Sequence, residues 1–315
     1  RTCFLFESEF LMNTNDHNNT RLLVTGASGQ LGQRVVHHLL NTLGVPAQRL
    51  IATTRAPAKL AALAAQGVDV RAADFDDAQA LVPCFRGANR MLLISTDALD
   101  VAGRRLAQHR NAIRAAELAG LDHVAYTSMP VPHRSPLLIA PDHAGSEDAL
   151  AASALPNWTV LRHHWYFENL FMTLPQVLPT GKWYSAAGQG RVAHIARDDL
   201  ALAAATVLAG KGSGKNTWTL SGTRAYSTVE MAALIAKAVG QPIDVVPVAL
   251  EDLVQGMVAA GLPEPLARVF ASFDTNTAAG CVAEVTGDFE RITGRKPQAF
   301  EAWLAQSTPA LMGRH

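Results

Sequence analysis

Short apolar runs alternate with helical-period segments through the first half of the chain. Leu22, Leu23 and Val24 form the first run, and Leu31, Val35, Val36, Leu39 and Leu40 then recur at the spacing of one helix face. A second strand is predicted over residues 49–55, an Ala-rich helix over 59–66 and a third strand over 68–72. A loop at 74–76 leads to a short helix over 77–85. Residues 90–95 read as a strand that is apolar on both faces, as a buried parallel strand should be. A long helix from about 103 to 119 stops at Gly120, and a fifth strand follows at 123–127. Strands alternating with helices at this spacing predict a parallel, doubly wound α/β sheet.

The pattern loosens after Ser135. A helix over 143–153 leads to a strand at 158–161 and then to the loop Arg-His-His-Trp-Tyr-Phe-Glu-Asn at 162–169. A strand at 192–195, a helix at 198–208 and a strand at 218–220 follow. The helix over 227–239 opens with a capping box, Ser227 with Glu230 three residues on. After a last strand at 245–248 the chain reads as helical and mixed, broken at 261–265 and 294–297. Three segments are expected. Residues 1–20 are a disordered leader without function, with Met12 a candidate start; 21–155 are the sheet domain; and 156–315 are a smaller C-terminal α/β lobe packed over the strand ends as a lid.

Composition narrows the function classes. The chain has 315 residues, 49% hydrophobic and 17% charged, which is ordinary for a globular protein. Lys plus Arg balances Asp plus Glu at 27 each, and no basic run stands out, which argues against nucleic acid as a partner. Cys3, Cys84 and Cys281 lie far apart, so neither a disulfide framework nor a metal site is expected, and a cytoplasmic location fits. No apolar stretch is long enough to span a bilayer.

Candidate chemistry begins at the first turn. Gly26, Gly29 and Gly32 stand between the first strand and the first helix, where glycines admit a pyrophosphate to a helix N-terminus. With the strand before it and the helix after it, this motif predicts a Rossmann-like dinucleotide-binding fold, with 21–155 as its NAD(P)-binding part. The second strand ends Thr53-Thr54-Arg55, with Lys59 one turn on and no acid between. A guanidinium fork and an ammonium there favour NADPH over NADH, since an acid would repel a 2′-phosphate. The alternative is a pair of solvated surface cations. Asp74 and Phe75, just past the third strand, are placed to touch the adenine, or else are a helix-start acid beside a core aromatic.

The usual proton donor of short-chain reductases is a tyrosine four residues before a lysine. Here the positions four after the tyrosines are Pro130, Leu170, Gly188 and Glu230, so that pair is absent. In its place stands His143-Ala-Gly-Ser-Glu147, whose spacing puts imidazole and carboxylate on one helix face. They are expected to pair, as a weak acid or substrate anchor or as a surface ion pair.

Several motifs together resemble the NmrA-like atypical short-chain reductases, and among them the type 2 quinone oxidoreductases and triphenylmethane reductases. They are Gly26–Gly32, Thr54-Arg-Ala-Pro-Ala-Lys59, Gln108-His-Arg-Asn111, Ala125-Tyr-Thr-Ser128, Trp165-Tyr-Phe-Glu-Asn169, Gly261-Leu-Pro263 and Ile292-Thr-Gly-Arg295. The resemblance runs from about Leu22 to Leu304. It implies NADPH binding by Gly26, Ser28, Gly29, Gln30, Leu31 and Arg55, with further cofactor contacts near Asp74, Phe75, Ser95, Thr127 and Ser128. It also implies a substrate pocket between Met129, His143 and the 162–169 loop. These reductases usually read Arg-Asn where this chain reads Arg162-His163, so His163 bears on substrate choice or protonation.

The expected reaction is direct hydride transfer from NADPH to a quinone or similar flat electrophile, without flavin or metal. The substrate would stack against Trp165, Tyr166 and Phe167 beside Asn169, with His143 or His163 as proton source. Two other readings stay open: a non-catalytic NADP(H)-sensing regulator, and a reductase of triphenylmethane dyes or other xenobiotics. A homodimer stays open as well.

Overall fold

Leu22–Val24 forms β1, buried along its length, and leads through the glycine turn into α1 (Gln30–His37). In the computed structural model, which describes residues 19–210 and 212–313, the chain continues through β2 (Leu50–Thr54), α2 (Ala61–Ala65), β3 (Asp69–Ala72), α3 (Ala78–Phe85), β4 (Arg90–Leu93), α4 (Arg104–Leu118) and β5 (His123–Ser128). Next come α5 (Ala140–Ala151), β6 (Asn157–His163), α6 (Leu170–Thr180), β7 (Lys182–Ser185), β8 (Arg191–Val192), α7 (Arg197–Ala209) and β9 (Lys215–Leu220). The last stretch holds β10 (Tyr226–Ser227), α8 (Thr228–Val239), β11 (Asp244–Pro247), α9 (Leu250–Ala259), α10 (Glu264–Ala278), α11 (Asp288–Thr293) and α12 (Phe300–Leu311).

The main sheet has seven strands in the order β3-β2-β1-β4-β5-β6-β9, with every neighbouring pair parallel. It is the doubly wound α/β sheet that the alternating pattern predicts. Strand side chains alternate between its two faces. Leu22 and Val24 pack on one side with Val35 of α1, Leu39 just beyond it, Leu200 and Leu208 of α7 and Phe289 of α11. Leu23 packs on the other side with Phe85, Ile113, Tyr126 and Leu150, from α3, α4, β5 and α5. The strand order reverses between β1 and β4, and that switch point opens the crevice in which such sheets bind ligands.

Beyond the expected boundary at 155/156 the chain returns to the same sheet: β6 and β9 extend it, and α7 covers one face beside α1. Most of the expected leader lies outside the described residues. The smaller lobe has its own core, where Phe167, Leu170 and Leu174 meet Met231 and Ile235 of α8 and Phe300 and Trp303 of α12. Two short sheets, β8 with β10 and β7 with β11, tie it together. A helix and a strand not anticipated from the pattern, α6 and β7, belong to this lobe. Prolines at 175 and 179 lie inside α6, where they read as breakers. The strand expected over 192–195 shortens to Arg191–Val192, with Ile195 forming one bridge to Tyr166.

Candidate active site

The cradle is shaped by two glycines. Gly26 turns the chain at φ +58°, and Gly29 N–H donates to Gly26 O at 2.9 Å. A Cβ added at Gly32 would sit 2.3 Å from Gly26 O and 2.8 Å from Ala27 Cα, so only glycine lets α1 pack this close to the turn. The result is a cleft of about 270 Å³ at the start of α1, lined by Gly26, Ser28, Gly29, Gln30, Leu31, Arg55, Asp74, Phe75 and Ser95 as expected. The first turn of α1 carries no acidic side chain, which suits an anion.

Three of the expected cofactor residues stand outside the cleft lining. Lys59 lies on an exposed turn at Pro57–Leu60, because the chain leaves β2 in a 3₁₀ turn before α2 begins. Thr127 is one step behind: its Oγ1 accepts from Ser95 N–H at 2.8 Å and so supports a residue that does line the cleft. Ser128 donates to Glu147 at 2.6 Å instead of lining the cleft. Sequence reasoning missed Asp97 and Gln108, which line the cleft from the β4–α4 loop and from α4. Asp97 accepts a long contact of 3.5 Å from Arg55, with both side chains largely exposed, so the guanidinium fork is only loosely held. Phe75 is buried edge-on against Phe85, with ring centroids 6.5 Å apart, and thus serves both the core and the cleft wall. Arg197, also missed, bonds Gln30 and lies over the Tyr166 ring at 5.0 Å, joining the start of α1 to the aromatic loop.

Below the cleft lies a buried network of imidazoles. Thr96 N–H donates to His109 Nε2 at 3.0 Å, which leaves Nδ1–H to donate to Ser146 Oγ at 2.8 Å. Arg105 donates from Nη2 to His143 Nε2 at 3.0 Å, so His143 Nδ1–H donates to Tyr126 Oη at 2.9 Å. Burial, reinforced by Arg105, holds His109 down at about 3 and His143 well below its ordinary value. Both rings are neutral at physiological pH.

The expected His143–Glu147 pair does not form. Glu147 instead takes a two-pronged bond from Arg162, Nε at 3.0 Å and Nη2 at 2.6 Å, together with the Ser128 hydroxyl. A guanidinium fork binds a carboxylate far better than a neutral imidazole can, and it takes Glu147 away. His163, at the end of β6, is buried with neither ring nitrogen partnered among the described residues, and burial holds it down to about 3.

The aromatic loop divides. Trp165 and Asn169 line a second, larger space, a cavity of about 870 Å³ in the C-terminal lobe. Trp165 meets Phe273 edge-on at 4.9 Å, over a small cluster containing Met129. Phe167 does not offer a face to a ligand: it is buried against Phe300 and Trp303, at 5.2 and 5.3 Å, as a core residue of the lobe. Tyr166 packs on the sheet core beneath Arg197 and lines neither space. The expected stack of three aromatic rings therefore reduces to Trp165.

Burial pushes the Tyr126 and Tyr166 phenols up, and Tyr226 up to about 12. Among the described residues no cluster of His, Cys, Asp or Glu is arranged to hold a metal ion. No helix among them is long and apolar enough to cross a membrane.

Comparison with known proteins agrees with this geometry. The NmrA-like family profile matches residues 18–304, and the chain belongs to that family. It is 37% identical to quinone oxidoreductase 2 of Escherichia coli over 273 residues, 87% of this chain and 93% of that protein. It is 28% identical to an NAD(P)H azoreductase of Xenophilus azovorans, over 93% of this chain and 99% of that one. Among solved structures, the Escherichia coli NADPH-dependent quinone oxidoreductase complexed with NADPH superposes with a TM-score of 0.85 at 36% identity, covering 92% of this chain and 99% of that one. The Citrobacter triphenylmethane reductase complexed with NADP(H) superposes at 0.83 with 32% identity, covering 91% and 99%.

Proposed function

We propose that this chain is an NADPH-dependent oxidoreductase that reduces a quinone, or a similarly flat conjugated electrophile, by direct hydride transfer without flavin or metal. The observation that carries the reading is the glycine cradle, closed to any side chain at Gly32 and flanked at the end of β2 by Arg55 rather than an acid. Bound NADPH supplies the hydride. The relatives named above, one a quinone oxidoreductase solved with NADPH, support the same assignment.

The chain's own residues hold and orient. The start of α1 takes the pyrophosphate, Arg55 the 2′-phosphate, and Asp74 with Phe75 the adenine end. Ser95, fixed by Thr127, borders the reactive end. Trp165 and Asn169 offer the acceptor a wall. Quinone plus NADPH plus one proton gives hydroquinone plus NADP⁺. A delocalised phenolate product needs no strong acid, so water supplies the proton. Buried and neutral, neither His143 nor His163 takes the proton-donor role in this reading, and His143 serves to position Arg105 and Tyr126.

The size of the cavity and the likeness to the Citrobacter enzyme favour a second reading, reduction of a bulky dye by the same chemistry. The test is protein-dependent oxidation of NADPH by a benzoquinone, corrected for the uncatalysed reaction, with NADH in parallel. Saturable turnover favouring NADPH is expected, and Arg55→Ala should raise KM for NADPH about tenfold or more while leaving NADH nearly unchanged. Equal losses with both cofactors would remove Arg55 from the phosphate site. Tight binding without turnover would favour the regulator.

A further inference from the structure

The cavity beside Trp165 is far larger than a quinone ring requires. Its volume of about 870 Å³ lies near the top of the range of small-ligand pockets. It extends from Trp165 and Asn169, just past β6, to the wall made by α9 and α10. Met172, Trp183, Met231, Met257 and Phe270 line it from α6, β7, α8, α9 and α10. Thioether side chains adapt their shape to a flexible apolar guest better than branched ones do.

Its charged groups do not call for a charged guest. Lys182 and Asp252 are exposed at the rim. Asp274 accepts from Ser185 Oγ at 2.9 Å and from Ala186 N–H at 2.7 Å, so it is already partnered. Met172, which also lines the cavity, is 61% exposed, an apolar lip where the space reaches the surface.

We infer that the acceptor is a quinone bearing a long, uncharged apolar substituent. The ring lies at the Trp165–Asn169 end and the tail runs along Met172, Met231, Met257 and Phe270. This rests on the quinone reading and adds the class of substituent. The tail takes no part in the electron balance, and its role is to bind and to fix the direction in which the ring enters.

The experiment uses benzoquinones carrying methyl, butyl and decyl substituents, all below their micellar concentrations, with the full chain. Their Kd values are read without NADPH by quenching of tryptophan fluorescence, since Trp165 and Trp183 line the cavity. The decyl compound should bind about tenfold or more tightly than the methyl one. Met257→Phe, which narrows the tail region without adding an indole, should erase that advantage, so that the decyl compound binds no more tightly than the methyl one. Leu266→Phe, from the facing helix, provides a second variant if the first does not fold. A Kd independent of tail length, or variants that weaken methyl and decyl compounds alike, would overturn the inference. Turnover of the methyl compound by wild type is read separately, and its absence would count against the quinone reading itself.

Discussion

At the scale of single residues, Glu147 is held by the Arg162 guanidinium and the Ser128 hydroxyl, while His143 bonds Arg105 and Tyr126. Gly26 and Gly32 were legible because a backbone that must turn at one and pack closely at the other tolerates no side chain. Arg55 was legible because a strand end fixes where its side chain starts. Glu147 was placed on the correct helix face, yet its partner is set by β6, which brings Arg162 across from a distant part of the chain. Phe167 and Trp165, two residues apart in one aromatic run, could not be told apart by sequence: one fills a core and the other lines a cavity. A double-mutant cycle checks the corrected pairing. Glu147→Ala should cost about 3 kcal/mol by stranding Arg162, and coupling between Glu147 and Arg162 should exceed about 1 kcal/mol. Coupling between Glu147 and His143 should stay below about 0.5 kcal/mol in the same melting experiments. A larger value would restore the pair that spacing suggested.

At the scale of elements, β1 to β5 and α1 to α4 follow the hydrophobic pattern closely, because buried parallel strands and amphipathic helices carry distinct periods. The pattern does not say which sheet a strand joins. β9 reads as one more short strand, and only the structure places it at the edge beside β6. α6 was illegible because its prolines look like breakers, although its apolar face packs against α8 and α12. With β6 and α7 supplied from later in the chain, residues 19–155 are expected not to fold alone. A fragment of residues 19–155 leaves β5 without its neighbour β6 and uncovers the face on which Leu200, Leu208 and Phe289 pack. It should show no cooperative melting by circular dichroism, whereas full-length Leu208→Ala should melt cooperatively with a loss of about 2–5 kcal/mol. Cooperative melting of the fragment would show that the two parts fold independently.

At the scale of the whole molecule, buried histidines couple the fold to pH. His109, His123, His163 and His164 are held down to about 3 and His194 to about 4, chiefly by burial. Unfolded, each titrates near its ordinary value of about 6.5. The unfolded chain therefore binds more protons between those limits. The neutral rings cost nothing above pH about 6.5, and stability falls as pH drops through that value toward the folded pKa. Each fully coupled ring removes at most about 1.4 kcal/mol per pH unit. Asp142, Asp199 and Asp274, whose carboxyls burial pushes up, act in the opposite sense in the carboxylate range, so the histidine effect is read above it. Calorimetric Tm should fall steadily from about pH 7 to about pH 5.5, and a flat Tm would show that these imidazoles exchange protons freely in the folded state.

In the proposed reaction a hydride passes directly from the nicotinamide to the acceptor, with the cradle at α1 on the cofactor's side and Trp165 on the acceptor's. Its most direct test is a single turnover by stopped flow, using flavin-free protein and NADPH deuterated at the transferred position. One decay of nicotinamide absorbance is expected, speeding up with acceptor concentration to a plateau and slowed by deuterium, with no requirement for added flavin. Decay that is absent without flavin, or that is protein-independent and indifferent to deuterium, would contradict it.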